Sequence, residues 1–486
     1  MQVAGYIGYD LDPAAPPDVD HILLTRPMSV AAAVVRLLRC RGTWADDRQA
    51  LDASAGFCAA PWTEAVIRID GNVLPCCRNH YVYGSIERAT LPEIWVSPAA
   101  RSFRASVARG AFPNDACTQC YRKGKATTLA SAFDSLLGQL WERYARASDA
   151  AGIALDGEMC ERMAEFHAHV RSNVRGPAAL SACRRARERT RLLETSLTIV
   201  EARFAVHKIG VIAQACLDFH SASPEPAIVA TTRQANLVAI CNARCVHCIG
   251  LYTGEIVRGE ETGGRRIKRM NDTQSARALE RADDMTSFFM NGSEFLLHPQ
   301  WRAMTATLAA TGVRLSVSTN GMLLDQRATA VLMQSGGPFE INFSFDGATK
   351  ATVESIRVNV SYDRLVQNVR HFLQQLAAHR LNVPVCISMV LMRTNVAECA
   401  ALVALVHDLR PDTRVDVHVS FELLETSPVE AYNRFFEQEW IDIAHPTARA
   451  SLEAAAAEAR RLHVRALYSG EDLADALARR AAAIAG

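Results

Sequence analysis

The sequence predicts an α/β protein, a partial (β/α)6 barrel joined to a small cysteine-rich module by a helical connecting segment. Three observations predict it. From about residue 232, six short apolar or β-branched runs (NLVAI, TSFFMN, VRLSVST, EINFSF, VPVCISMVLM and VDVHVSFEL) alternate with amphipathic stretches such as HPQWRAMTATLAA and SYDRLVQNVRHFLQQLAAH. Alternation of that kind builds a parallel sheet with helices outside it. Upstream, TTLASAFDSLLGQLWERYARAS repeats apolar residues at the three- and four-residue spacing of a helix. Eight of the fourteen cysteines also fall into two groups, one ahead of the helical segment and one just after the first strand.

A chain of 486 residues exceeds one ordinary domain. The boundaries are expected at 1–54 (a Pro-rich extension with a helix around Met28–Cys40), 55–124 (the cysteine-rich module), 125–231 (the helical segment) and 232–486 (the barrel). Hydrophobic residues make up 49% of the chain, enough for sizeable cores. A formal net charge of +1 gives no electrostatic reason to expect nucleic acid or an anionic membrane as partner. The N-terminus lacks the basic start and apolar run of a signal peptide. The run SVAAAVVRLL is shorter than the about 20 residues a bilayer span needs. A cytoplasmic location is expected. Disulfides are disfavoured there, so grouped cysteines point to metal or redox chemistry. The scattered ones (Cys40, Cys160, Cys183, Cys216, Cys386 and Cys399) are expected to pack as small hydrophobes.

The run CNARCVHC sets Cys241, Cys245 and Cys248 within eight residues, directly after NLVAI. A structural zinc site wants four protein ligands, and a 4Fe–4S cluster is usually held by four cysteines. No other cysteine lies within twenty residues, so a cluster held here keeps one iron without a local protein ligand, open to a small molecule. A zinc loop is the alternative.

This spacing after a strand that opens an α/β barrel resembles the radical S-adenosylmethionine (radical SAM) superfamily, with its TIM-like partial barrel. The resemblance covers about residues 232–425. It implies that the open iron binds S-adenosylmethionine, that one electron cleaves the cofactor to methionine and a 5′-deoxyadenosyl radical, and that the radical takes hydrogen from substrate. MNGSEFLLHP is similar to the family's Gly-Gly-Glu segment for the cofactor's amino group, with Gly292 and Glu294 matching and Ser293 replacing the second glycine. STNG after the third strand brings Asn320. SFDG and ESIR bring Ser344, Asp346 and Arg357, of which the serine and arginine resemble the pair that grips the cofactor carboxylate. A planar guanidinium suits that task. Leu391, at the end of the fifth strand, is the candidate for packing against adenine, and His247 stands where the family often has an aromatic ring. Asn320, Ser344 and Asp346 are also ordinary turn formers.

In the second group, AVIRI and NVL flank Asp70-Gly71, a favoured two-residue hairpin turn. Cys58 precedes this hairpin, Cys76 and Cys77 follow it, and Cys117-Thr118-Gln119-Cys120 forms a later knuckle. By spacing alone a closed four-cysteine site permits zinc or 4Fe–4S. Cys58 before Pro61-Trp62, the Asp-Gly turn, the Pro-Cys-Cys triplet and LPEIW before the knuckle resemble the SPASM module, an auxiliary iron–sulfur domain of radical SAM enzymes. The resemblance implies a second 4Fe–4S cluster held by Cys58, Cys76, Cys117 and Cys120, with Cys77 as alternate for Cys76. In the family this module generally follows the barrel, whereas here it precedes it.

For function, the resemblance implies a radical enzyme that acts on a peptide or small natural product, its auxiliary cluster assisting oxidation, crosslinking or epimerisation. It also implies an electron donor such as flavodoxin or ferredoxin. The alternative is a non-catalytic metal-binding scaffold that has lost cofactor cleavage, toward which Ser293 leans. Asp416, His418, Ser420 and Glu422 alternate along one strand and so share a face. His418 and Glu422 are the substrate-contact candidates. Arg265, Arg266, Lys268 and Arg269 make the loop after the triplet basic, either a lid for an anionic group or a solvated loop.

Overall fold

The structure, a computed structural model, describes residues 58–122, 125–172, 176–252, 257–258, 269–335, 339–381, 383–425 and 429–485. The helix expected around Met28–Cys40 and the basic Arg265, Arg266 and Lys268 lie outside the described residues. Two compact units divide the chain. The first takes in the described parts of Met1–Val66, Asn72–Arg233 and Glu280–Thr286, and the second comprises Ile67–Gly71, Gln234–Leu279 and Ser287–Gly486.

The first unit begins with strands β1 (Glu64–Ile67), β2 (Asn72–Leu74) and β3 (Gly84–Ser85), neighbours in that order. The turn before β2 is longer than Asp70-Gly71 alone. The Gly71 N–H donates to the Arg68 carbonyl at 2.9 Å, and Gly71, not Asp70, takes the positive φ of 78°. A two-residue turn of the favoured type needs φ > 0 at both central residues, whereas a β-turn followed by one left-handed glycine needs it only once. Helix Leu91–Trp95 starts in a capping box of Thr90 and Glu93, and helix Pro98–Ala108 starts at Ser97 with Pro98 at its first position. Between these helices and the strands, Arg104 is fully buried. Its guanidinium donates to the carbonyls of Pro61 (2.8 Å), Trp95 (2.7 Å) and Pro224 (3.2 Å) and lies 4.3 Å from the Trp95 ring centre.

Helices Leu129–Ala150, Gly157–Ser172, Pro177–Ser196 and Val200–His220 follow, each packed on the next and the first on the last. They form the four-helix arrangement that short connections favour. The stripe that predicted the first of them, Leu129, Phe133, Leu137, Leu140, Trp141 and Tyr144, is buried. Lys208, on the last helix, is buried too and donates to the carbonyls of Asp283 (2.9 Å) and Met285 (2.6 Å).

In the second unit the strands are β4 (Thr232–Val238), the short β5 (Ile240–Cys241), β6 (Arg244–Cys245) and β7 (Val257–Arg258), then β8 (Ser287–Gly292), β9 (Arg314–Thr319) and β10 (Phe339–Ser344). They continue with β11 (Arg357–Val358), β12 (Val385–Leu391), β13 (Val417–Leu423), β14 (Arg465–Tyr468) and β15 (Glu471–Asp472). The main sheet runs β15-β14-β13-β12-β10-β9-β8-β4, parallel from β8 through β14. Helices connect the strands as the alternation predicts, for example Trp301–Ala310 and Tyr362–His379. Helix Gln326–Ser335 was not among the anticipated helices.

Replacing Arg104 with Met keeps the stem's volume but removes the donors to three carbonyls, two of them buried. The expected cost is roughly 2–5 kcal/mol, read as a lower urea midpoint. An unchanged midpoint would mean that those carbonyls find other partners.

Candidate functional site

Strand alternation gives the main sheet two unlike faces. Ile341, Phe343, Val385, Ile387, Met389, Val417, Val419 and Phe421 are buried on one of them, and the Phe343 ring stands edge-on to Phe372 of helix Tyr362–His379 at 5.6 Å. That is the helix side. On the opposite face the register sets Ser318 beside Asn342, Asn342 beside Cys386 and Cys386 beside His418, with a second row of Ser344, Ser388 and Ser420. The side chains of this face are small or polar.

The two substrate candidates part company here. His418 is the second residue of β13, at its N-terminal end, while Glu422 stands near the C-terminal end. Ligands of parallel α/β sheets gather at the carboxyl ends of strands. His418 lies 3.0 Å from the Arg465 guanidinium, and burial together with that charge pulls the imidazole down to about 4. Glu422 is half-buried and accepts a hydrogen bond from the Ser420 hydroxyl at 2.5 Å. Leu391 is fully buried and continues the helix-side alternation, so Val390 is the residue on the polar face.

The three clustered cysteines lie on the loop that leaves β4. Cys241 ends β5, Cys245 ends β6, and Cys248 precedes helix Ile249–Tyr252. All three are half-buried, and burial pushes the Cys241 thiol up to about 12 and raises Cys245. Two donors face the Cys241 sulfur, the Ala243 N–H at 3.4 Å and Asn320 Nδ2 at 3.7 Å. Asn320 Nδ2 also donates to Asn242 Oδ1 at 2.8 Å, tying the end of β9 to this loop. Gly321 must follow it without a side chain, because its φ is 73° and a Cβ there would come within 2.5 Å of Leu365.

Glu294 follows β8 and is completely buried. Its carboxylate accepts hydrogen bonds from the Thr319 hydroxyl (2.9 and 3.0 Å) and the Asn320 N–H (3.0 Å). Burial pushes its pKa up to about 7 against those donors. Ser293, the departure from Gly-Gly-Glu, has a local partner for its hydroxyl: Oγ donates to the carbonyls of Val238, at 3.2 Å, and Ile240. The extra side chain thus holds the loop that carries Cys241.

Asp346 and Arg357 form a buried pair. Asp346 follows β10 with φ of 59° and binds the Arg357 guanidinium through Oδ2, which also lies 3.4 Å from His247 Nε2. Its Oδ1 accepts the Val390 N–H at 2.8 Å. Burial alone would raise the Asp346 carboxyl, but His247, Arg357 and that N–H hold it below its ordinary value. Arg357 opens β11, whose partner is β6, and sits in register with Cys245. Ser344 is half-buried on the polar face, beside Ser388. Sequence reasoning missed Asn395, whose Nδ2 donates to the carbonyls of Asp346 (3.0 Å) and Val390 (2.8 Å). It also missed the apolar cover of Ile356, Met392, Leu424 and Tyr432, against which Val246 and Ile249 pack.

These features fit a thiolate-bound cluster and a zwitterionic cofactor. The donor set is three thiols with N–H groups directed at sulfur. Two buried polar atoms beside them, Arg357 Nε and His247 Nδ1, have no partner among the described residues.

In the first unit, Cys58, Cys76, Cys117 and Cys120 line one cavity together with Arg78, Asn79 and Phe112. Cys77 is exposed and does not line it. The expected knuckle is a turn of helix Asp115–Arg122, which places Cys117 and Cys120 three residues apart on one helix face. Burial raises Cys58 to about 11 and raises Cys76 and Cys117. Four half-buried thiols lining one cavity fit an iron–sulfur cluster by donor chemistry.

Residues 58–121 match the family model of the SPASM iron–sulfur cluster-binding domain, and residues 236–406 match that of the Radical SAM superfamily. No curated protein matches the sequence. Among solved structures, Streptococcus suis SuiB bound to S-adenosylmethionine is similar at 14% identity and a TM-score of 0.40, over 65% of this chain and 66% of that one. This chain therefore spans just under two thirds of SuiB. SuiB bound to precursor peptide SuiA gives 15% and 0.41, over 66% and 67%. A radical SAM methyltransferase from Sphaerobacter thermophilus gives 16% and 0.30, over 44% and 62%. No described helix is long and apolar enough to cross a membrane.

The raised pKa of Glu294 has a consequence for stability. Between its ordinary value of 4.5 and about 7, Glu294 keeps its proton in the native state and has lost it in the unfolded one. The native state then binds more protons, so stability falls as pH rises through that window, by on the order of 3 kcal/mol, and is flat above it. In iron-free protein, Glu294→Gln is expected to remove this fall from the pH profile of urea midpoints. Parallel profiles for the two proteins would refute it.

Proposed function

From a radical SAM domain and an N-terminal SPASM module on one chain, we propose that the protein is an enzyme that takes hydrogen from a peptide or small natural product. Cys241, Cys245 and Cys248 hold a 4Fe–4S cluster with one iron left for S-adenosylmethionine, and Cys58, Cys76, Cys117 and Cys120 hold a second, auxiliary cluster. When bound, these groups supply reductive cleavage of S-adenosylmethionine to the 5′-deoxyadenosyl radical that abstracts the hydrogen. The observation that carries the reading is the coincidence of each cysteine set with its own matched domain, four lining one cavity and, of the other three, Cys241 facing Asn320 and Cys245 in register with Arg357.

The chain's own residues bind and orient. Glu294 and Asn320 form a polar shelf next to Cys241, suited to the cofactor's amino group. Arg357 Nε, without a partner among the described residues, is left for the cofactor carboxylate while Asp346 neutralises the guanidinium. Ser344 and Glu422 lie on the polar face of the partial barrel, toward its strand ends, and face substrate. The cover formed by Ile356, Met392, Leu424 and Tyr432 keeps water from the third cysteine. Four protein ligands saturate the auxiliary cluster, which favours electron transfer over direct substrate binding. Oxidation, crosslinking or epimerisation follows from that, with flavodoxin or ferredoxin as electron donor.

Anaerobically reconstituted wild type is expected to carry about eight irons per chain, and a variant with Cys241, Cys245 and Cys248 all changed to Ala about four. Incubated with S-adenosylmethionine and dithionite, only wild type should yield 5′-deoxyadenosine. A fully loaded wild type that makes no nucleoside would sink the enzymatic reading.

A further inference from the structure

Asn79, in the cysteine-rich module, is buried, and its Nδ2 donates to the Cys117 sulfur at 3.0 Å and to Asn114 Oδ1 at 3.1 Å. The amide's orientation is fixed by its other end. Asn79 Oδ1 accepts the Tyr81 N–H at 2.8 Å and Asn114 Nδ2 at 2.9 Å, so a flipped amide would set donors against donors. Asn114 is anchored in turn, because its Oδ1 accepts the Cys117 N–H at 3.1 Å. Two side-chain amides thus pair reciprocally, are clamped by backbone at both ends, and aim one N–H at a sulfur. A neutral thiol gains little from such a donor, whereas a metal-bound thiolate gains a charge-assisted bond. The Tyr83 hydroxyl, in the same module, is buried without a partner among the described residues.

We propose that Asn79, held by Asn114, hydrogen-bonds Cys117 as a ligand of the auxiliary cluster and raises that cluster's reduction potential. Reduction adds negative charge to the cluster and its sulfurs, and an N–H directed at a ligand sulfur stabilises the more negative state. Asn79 is a positioning residue in this scheme, fixing how readily the cluster takes an electron. The inference rests on the reading that Cys58, Cys76, Cys117 and Cys120 hold iron.

The test uses the full chain with Cys241, Cys245 and Cys248 changed to Ala, so that the auxiliary cluster is observed alone. Asn79→Ala, which removes the donor without adding charge, is compared with Asn79 by iron content and by a redox titration followed by electron paramagnetic resonance. The expected result is about four irons in both proteins and at least a tenfold shift toward the oxidised form at a given potential, a fall of about 59 mV for one electron. An unchanged potential with iron retained overturns the proposal. Should Asn79→Ala fail to fold or to hold iron, pulsed resonance on the reduced, 15N-asparagine-labelled Asn79 protein decides. A nitrogen coupling to the cluster supports the bond, and its absence overturns it. A parent protein that binds no iron at all would instead refute the auxiliary-cluster reading, and the proposal with it.

Discussion

The buried Asp346 holds the upper end of the parallel sheet together. Its backbone takes a left-handed turn, a conformation that aspartate tolerates better than most residues, directly after β10. From there one carboxylate meets Arg357, His247 and the Val390 N–H, while its carbonyl accepts from Asn395. A carboxylate can be buried only if its charge is matched and its lone pairs are used, and here both conditions hold. Because Arg357 is in register with Cys245, the strand that carries the charge's partner also fixes one cysteine of the clustered triplet. Three segments far apart in sequence are thereby held by one side chain.

The first unit uses the same device with the signs reversed. Arg104 and Lys208 are buried cations whose partners are mainly backbone carbonyls, of Pro61, Trp95 and Pro224 in one case and of Asp283 and Met285 in the other. Carbonyls in irregular segments have no helix or sheet to satisfy them, and leaving them unpaired inside a core is costly. A long cationic side chain reaching inward supplies several donors at once. Burial lowers Lys208 to about 8, the expected sign for an ammonium held mostly by neutral dipoles.

What the sequence disclosed and what it hid follow from the range of the interactions. The six strands of the alternation and the helical stripe from Leu129 to Tyr144 were legible because side-chain period is a local property. The cysteine groups were legible because metal ligation demands close spacing. Leu391 was named from its place at a strand's end, which says nothing about which side its side chain takes until the register is known. His418 and Glu422 read alike in VDVHVSFEL, and only their distance from the strand's carboxyl end separates them. Asn395, Asn79 and Asn114 gave no signal, since an isolated asparagine is most simply a turn former and their partners lie up to 49 residues away.

Five thiols in the two cysteine groups share one electrostatic property. Burial raises Cys58 to about 11 and Cys241 to about 12, and it raises Cys76, Cys117 and Cys245 as well. A cysteine built for nucleophilic attack has the opposite setting, a lowered pKa near cations or a helix N-terminus. On the proposed reading, a metal cation compensates the charge that burial disfavours at these thiols, which couples iron loading to proton release. On the same reading, Arg357 near Cys245 and the Asn79 amide against Cys117 act on the ligated state, where negative charge is present to be stabilised. Both proposed sites are thus organised around a charge that would arrive with the metal.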